Sequence, residues 1–119
     1  MRRVKITVSN NTGKVLRLKP EMSKPLHGKF AIDPPLTIEE SGSWTCTSQS
    51  NGGPGPKGTI TYETDGGKIE IEFYYNHPIG NALSTYYITG APSGVIEYTI
   101  RGDLKALDQD ISIELHPIT

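Results

Sequence analysis

From Val4 to Val8 the chain alternates, with Val4, Ile6 and Val8 apolar and Lys5 and Thr7 polar. A period of two sends successive side chains to opposite faces of a strand, so this run reads as a half-buried β-strand. Asn10-Asn11-Thr12-Gly13 supplies turn chemistry before Val15, Leu16 and Leu18, which predicts an opening hairpin. The clearest alternation comes later. Thr59 to Thr64 and Lys68 to Tyr75 are joined by Asp65-Gly66-Gly67, with Ile69, Ile71, Phe73 and Tyr75 on one face and Lys68, Glu70, Glu72 and Tyr74 on the other. Shorter strands are predicted at Lys29 to Ile32, Leu36 to Ile38 and Ser43 to Gln49, with Pro34-Pro35 breaking the chain between the first two. Ser84 to Thr89, Val95 to Arg101 with Ile96, Tyr98 and Ile100 inward, and Ile111 to Leu115 complete a set of about ten strands. Ser50 to Gly58 is too rich in Gly and Pro to be regular and reads as a loop, while Gly102 to Asp110 has room for one helical turn.

Composition agrees with this pattern. With 13 Gly and 9 Pro scattered along the chain, long helices are disfavoured and an all-β, antiparallel β-sandwich is the expected architecture. At 119 residues, a single domain spanning 1–119 is expected, able to bury roughly two-thirds of its unfolded surface. A formal net charge of −1 offers no basic stripe for a phosphate backbone, so nucleic acid is not an expected partner. No apolar run approaches the length of a bilayer-spanning helix, and Met1-Arg2-Arg3-Val4 lacks a signal region, which leads to the expectation of synthesis in the cytoplasm without a signal peptide. Cys46 is the single cysteine, so an internal disulfide is impossible and stability must come from packing.

Little in the sequence resembles a catalytic constellation. His27, His77 and His116 lie far apart, in no spacing that suits a metal, so no metal and no cofactor is expected. Glu70 and Glu72 share a strand face and could in principle divide acid and nucleophile roles, but a solvated face interleaved with Lys68 explains them more simply. Neither a nucleophile elbow nor a phosphate-cradling loop is present, and Arg101-Gly102-Asp103 is a three-residue adhesion motif that arises easily by chance. Trp44 alternates with Cys46 and Ser48, which favours a core or sandwich-rim position over an exposed anchor. The tyrosines are more informative. Alternation cannot bury both members of Tyr74-Tyr75 or of Tyr86-Tyr87, so Tyr74 and Tyr87 are expected outside if Phe73, Tyr75, Tyr86 and Ile88 are inside. An outward tyrosine suits a membrane interface, a sugar face or a protein hot spot, and equally it can merely decorate a sheet.

Read together, several segments resemble the aegerolysin family, and especially its small bacterial members that act in binary insecticidal toxins. They are Val4 to Gly13 with Leu16 and Leu18, Gly28-Lys29-Phe30, Gly58 to Tyr62, Gly67 to Phe73, and Asn76-His77-Pro78-Ile79-Gly80-Asn81 followed by Val95 to Ile100. The resemblance covers nearly the whole chain, though no single piece is diagnostic. It implies an actinoporin-like β-sandwich without enzymatic activity or catalytic residues. It also implies recognition of a membrane lipid or cell-surface receptor, and pore formation only with a larger partner protein. Self-association is left open, and release from the producing cell, inclusions being one route, would precede action at the target membrane. Matching the family's aromatic segment assigns a surface-binding role to Tyr74, Tyr75 and His77, to which Tyr87 and Trp44 are added from the reading above. The lipid-binding fungal members are rich in tryptophan, whereas this chain has Trp44 alone, which bears against specific sphingolipid recognition. A lectin-like or adhesion sandwich is the alternative from a different functional class, since tyrosines and polar loops also suit a sugar.

Overall fold

A computed structural model describes residues 2–49 and 53–118. Residues 50–52 of the expected Gly/Pro loop lie outside them. Two sheets pack face to face. The first runs in the order β10 (Tyr98–Arg101), β11 (Asp108–Leu115), β1 (Arg3–Asn10), β6 (Ser41–Thr47), β4 (Lys29–Ile32). The second runs β5 (Thr37–Ile38), β2 (Leu16–Leu18), β7 (Lys57–Thr64), β8 (Ile69–Asn76), β9 (Thr85–Ala91), with β3 (Lys24–His27) also paired to β7. The all-β sandwich is therefore as expected, and the hairpin of β7 and β8 forms with the expected facing, Thr64 pairing with Ile69 across a short 3-10 turn at Asp65–Gly67 that takes Lys68 out of the strand.

Three local expectations are corrected. The opening hairpin does not form, because β1 is bonded on one side to β6 and on the other to β11, and β2 belongs to the opposite sheet. The Asn10 side chain explains the crossing. Its Nδ2 donates to the carbonyls of Lys14, Ile38 and Glu39 at 2.8, 3.1 and 2.9 Å, and its Oδ1 accepts from the Thr12 amide at 3.1 Å, turning the chain into a pinned inter-sheet loop. Second, the sandwich is not wholly antiparallel, since β1 and β11 run parallel, Val4 beside Gln109 through Asn10 beside Leu115. The segment before β11 delivers the chain to the start of β1, where the Arg3 amide donates to Leu107 O at 3.3 Å. Third, Gly102 to Asp110 contains turns and the start of β11 rather than helix, and the strand expected from Val95 begins only at Tyr98. The unforeseen β3 carries Pro25, which a strand tolerates at an edge.

The interior follows the predicted alternation. Val4, Ile6 and Val8 of β1 and Ile111, Ile113 and Leu115 of β11 face Ile60 and Tyr62 of β7 and Ile71, Phe73 and Tyr75 of β8. Trp44 reaches between the sheets, its ring 5.4 Å from Phe73 and 6.3 Å from Tyr62, edge-on to the former. Register places Arg3, Thr47 and Asp108 at one end of the first sheet and Lys57, Asn76 and Thr85 at one end of the second. These ends coincide, because His77 bonds to Leu107 and Arg2 to Gly80 across them. Gly28 links β3 to β4 at this His77 end with φ of +84°, and an added Cβ would meet Thr47 O at 2.2 Å, so only glycine fits the crossing.

Strand facing gives a direct test. Phe73→Ala is expected to cost about 3–5 kcal/mol, as for a truncated buried aromatic, and Glu72→Ala under about 0.5 kcal/mol. Urea denaturation of the two variants measures the difference, and equal losses would contradict the facing described.

Candidate functional site

Tyr74 on β8 and Tyr87 on β9 lie side by side in register on the outer face of the second sheet. Their rings stack with centroids 5.8 Å apart at 26°, and Tyr87 is 58% exposed. Of the five residues given a binding role from sequence, these two are the ones at the surface. Trp44, Tyr75 and His77 are corrected: all are buried, Trp44 and Tyr75 completely, so their side chains cannot touch a ligand in this conformation. Each lies on the core phase of its strand or, for His77, inside a polar cluster. The Tyr75 hydroxyl also lies against Gly58, where an added Cβ would come within 2.7 Å of it.

His77 instead holds the end of the sandwich together. Its backbone N–H donates to Pro56 O at 2.9 Å, and the adjoining Gly55 packs so tightly that a Cβ would come within 1.9 Å of His77 O. A carbonyl only accepts, so Nε2 carries the proton given to Leu107 O at 2.8 Å, and Nδ1 is left to accept from the Ser84 hydroxyl at 2.8 Å. Gln109 Nε2 donates to Ser84 Oγ at 2.8 Å, and Gln109 Oε1 accepts from the Tyr86 hydroxyl. Burial lowers the pKa of His77 from its ordinary value of 6.5, the Leu107 hydrogen bond opposing this and the Arg2 charge adding to it. The ring is therefore neutral in the fold. Ser84 and Gln109 carried no readable signal, since a polar residue reveals its burial only through partners distant in sequence.

Around the tyrosine pair the surface is amphipathic. A shallow groove of about 300 Å³ is lined by Lys24, Pro25, Leu26, Lys57, Gly58, Thr59 and Tyr74, and is mostly apolar between its two lysines. Leu26 is 66% exposed, and Ile79 and Leu83 are also exposed on the loop joining β8 to β9. Cations gather at the same end. Arg2, Arg3, Lys24, Lys29, Lys57 and Lys105 lie there or in the loops entering it, against Asp103 and Asp108, while Glu39, Glu40, Asp65 and Glu97 lie at the opposite end, offset there by Lys14, which pairs with Asp65, and by Lys68. A net charge near zero thus conceals a polar molecule.

On the same outer face, Glu70 is occupied by an ion pair with Lys19, and Glu72 stands beside it over Thr61 and Thr89. The Lys19 ammonium is held above its usual range, chiefly by that hydrogen bond. Cys46 is buried and its thiol pushed up to about 12 by desolvation, which makes it inert as a nucleophile. Among the described residues no three metal-ligating side chains come together.

No protein-family model matches the chain, and no curated protein matches it by sequence. Solved structures do resemble it. The crystal structure of the lipid-binding protein Nakanori superposes with a TM-score of 0.82 at 14% identity, over 97% of this chain and 71% of that one. The crystal structure of RahU protein in complex with a TRIS molecule does so with a TM-score of 0.74 at 13% identity, over 99% and 96% of the two chains. What this chain shares with both is the fold.

The neutral His77 has a consequence for stability. Its folded pKa lies below the ordinary 6.5, so the unfolded chain binds the proton first as pH falls. Stability from this group is complete above pH 6.5 and declines below it until the folded pKa is reached. Urea midpoints for the wild type should fall across that window, and His77→Gln, though less stable, should have a visibly shallower dependence. A variant with the full wild-type slope would remove His77 as its source.

Proposed function

We propose that the protein is a non-enzymatic module that docks peripherally on a lipid membrane through its His77 end, with Tyr74 and Tyr87 as contact residues. One observation carries this: exposed Leu26, Tyr87, Ile79 and Leu83 are gathered with most of the molecule's unbalanced cations at a single end. Tyrosine rings take their place at the boundary between headgroups and acyl chains, and lysines extend along apolar surface while keeping their ammonium groups wet. Juxtaposed cations add attraction to an anionic leaflet. The likeness to a lipid-binding protein of the same fold supports the reading.

The further role as one component of a two-protein, pore-forming toxin rests on the family resemblance. The geometry suits a component that binds without spanning. Outer strand faces carry Glu70, Glu72 and Lys5 rather than a lipid-facing apolar band, and no helix among the described residues is long and apolar enough to cross a membrane. Recognition would belong to this chain, and the inserted segments to a larger partner.

Flotation with liposomes tests the docking step. Wild-type protein should float with vesicles, and Tyr74→Ala/Tyr87→Ala should weaken association by about tenfold, with Tm moved by less than about 3 °C, because outer-face rings outside the core cluster contribute contact rather than core packing. A variant that unfolds would return these tyrosines to the core. Failure to float, together with clear binding to a glycan array, would favour a lectin-like module instead. Dye release from vesicles or cells should be absent with this protein alone and appear with a larger pore-forming partner. Strong lysis by the protein alone would overturn the two-component role.

A further inference from the structure

Between the β8–β9 loop, the segment before β11 and the start of β1 lies a cavity of about 270 Å³, lined by Arg2, His77, Gly80, Asn81, Ala82, Leu104 and Lys105. Among the described residues, two cations and an amide border it, and no carboxylate does. Among the described residues neither Arg2 nor Lys105 forms a salt bridge, although Asp108 lies near enough to be felt by His77 and the Lys105 backbone N–H bonds to Asp103 at 2.9 Å. The Arg2 guanidinium is steered towards the cavity wall by a long contact, 3.4 Å, to Gly80 O. That bond uses one of five donors and leaves the others for a ligand. The floor is firm, because His77 is fixed through both ring nitrogens and the neighbouring Ser84 and Gln109 are themselves bonded. Neutral His77 adds no charge of its own.

Resting on the membrane-docking reading above, we propose that this cavity holds the phosphate of a negatively charged lipid headgroup, with Arg2 and Lys105 as its charge partners and Asn81 as a neutral hydrogen-bonding wall. Guanidinium and ammonium groups are the side chains that bind phosphate most strongly. The volume lies just under the 300–1,000 Å³ or so of sites that enclose a whole small-molecule ligand, which suits a headgroup whose lipid tails stay outside. Position favours a lipid over a soluble phosphate: the cavity is bounded by the loop that carries the exposed Ile79 and Leu83, so a headgroup in it would have its acyl chains beside apolar side chains.

The test compares flotation with phosphatidylcholine vesicles and with vesicles containing phosphatidylglycerol. Wild-type protein should bind the anionic vesicles about tenfold or more tightly, and Arg2→Gln/Lys105→Gln should abolish that preference. Arg3→Gln/Lys29→Gln removes two charges from the same end outside the cavity and should cost much less. Asn81→Ala removes no charge, yet should weaken anionic binding by about threefold, a neutral wall contact being worth less than either cation. Equal losses from the two double variants, with Asn81→Ala unchanged, would mean a diffuse field and would overturn the site. Competition by glycerol phosphate at concentrations equal to the lipid would reassign the cavity to soluble phosphates and overturn the lipid assignment. Binding to both vesicle types without preference would sink this inference while leaving the docking reading intact, and binding to neither would sink both.

Discussion

Trp44 standing between Phe73 and Tyr62 is the contact on which the rest of the sandwich depends. It belongs to β6 in one sheet, and its two aromatic neighbours belong to β8 and β7 in the other, so a single side chain bridges the layers. Phe73 and Tyr62 also meet edge to face at 6.1 Å, which closes the cluster. Edge-on aromatic pairs add about 0.5–1.5 kcal/mol each beyond the burial of their area. The larger effect is on phase. Once Phe73 points inward, period two drives Tyr75 and Ile71 in and Tyr74, Glu72 and Glu70 out, and a slip of one residue would bury two carboxylates. The tyrosine pair faces outward, Tyr74 half-buried and Tyr87 exposed, because the tryptophan cluster leaves β8 no other phase.

At the His77 end a different kind of bond takes over. The loops there leave Ile79, Leu83 and Leu107 exposed rather than packed, and the chain from Tyr86 through Gln109 and Ser84 to His77 and Leu107 ties β9, β11 and both connecting segments together. Every ring nitrogen and amide group in it has a partner, the condition under which a buried polar network rigidifies rather than weakens an interior. Its result is a stiff platform beneath Ile79, Leu83 and the Arg2–Lys105 cavity. Ordering these side chains before contact would lower the entropy lost in the proposed binding.

The sequence made some of this visible and hid the rest for physical reasons. Strands β4, β7 and β8 were legible because period two is a local property, and β8 was displaced by a single residue. The partners of β1 were not legible, since the parallel bond to β11 joins residues about a hundred positions apart and leaves no local mark. Asn10-Asn11-Thr12-Gly13 has hairpin chemistry, yet Asn10 uses it to pin three carbonyls of a loop crossing between sheets. Tyr74 and Tyr87 were readable by alternation alone. His77 was not, because an imidazole in an aromatic, Pro-containing turn looks like surface until its hydrogen-bond partners are known. Leu26, Lys57, Arg2 and Lys105 acquire meaning only once the topology brings four separate segments to one end.

That convergence also bears on the lone tryptophan. With Trp44 committed to the core, no indole is left for a membrane interface, and the proposed docking would draw on weaker anchors acting together. Tyrosine, leucine and isoleucine at one end can supply contact area, but they carry little orientation by themselves. The segregated charge would supply it in the proposed docking: an excess of cations at the His77 end and of carboxylates at the Asp65 end would turn the apolar tip towards a negative surface before contact. Such steering acts within about a Debye length, close to 8 Å at physiological salt, so it orients the final approach rather than capturing from a distance. In the proposed docking, aromatic contact and charge would therefore divide the work, the first holding the docked state and the second selecting which end docks.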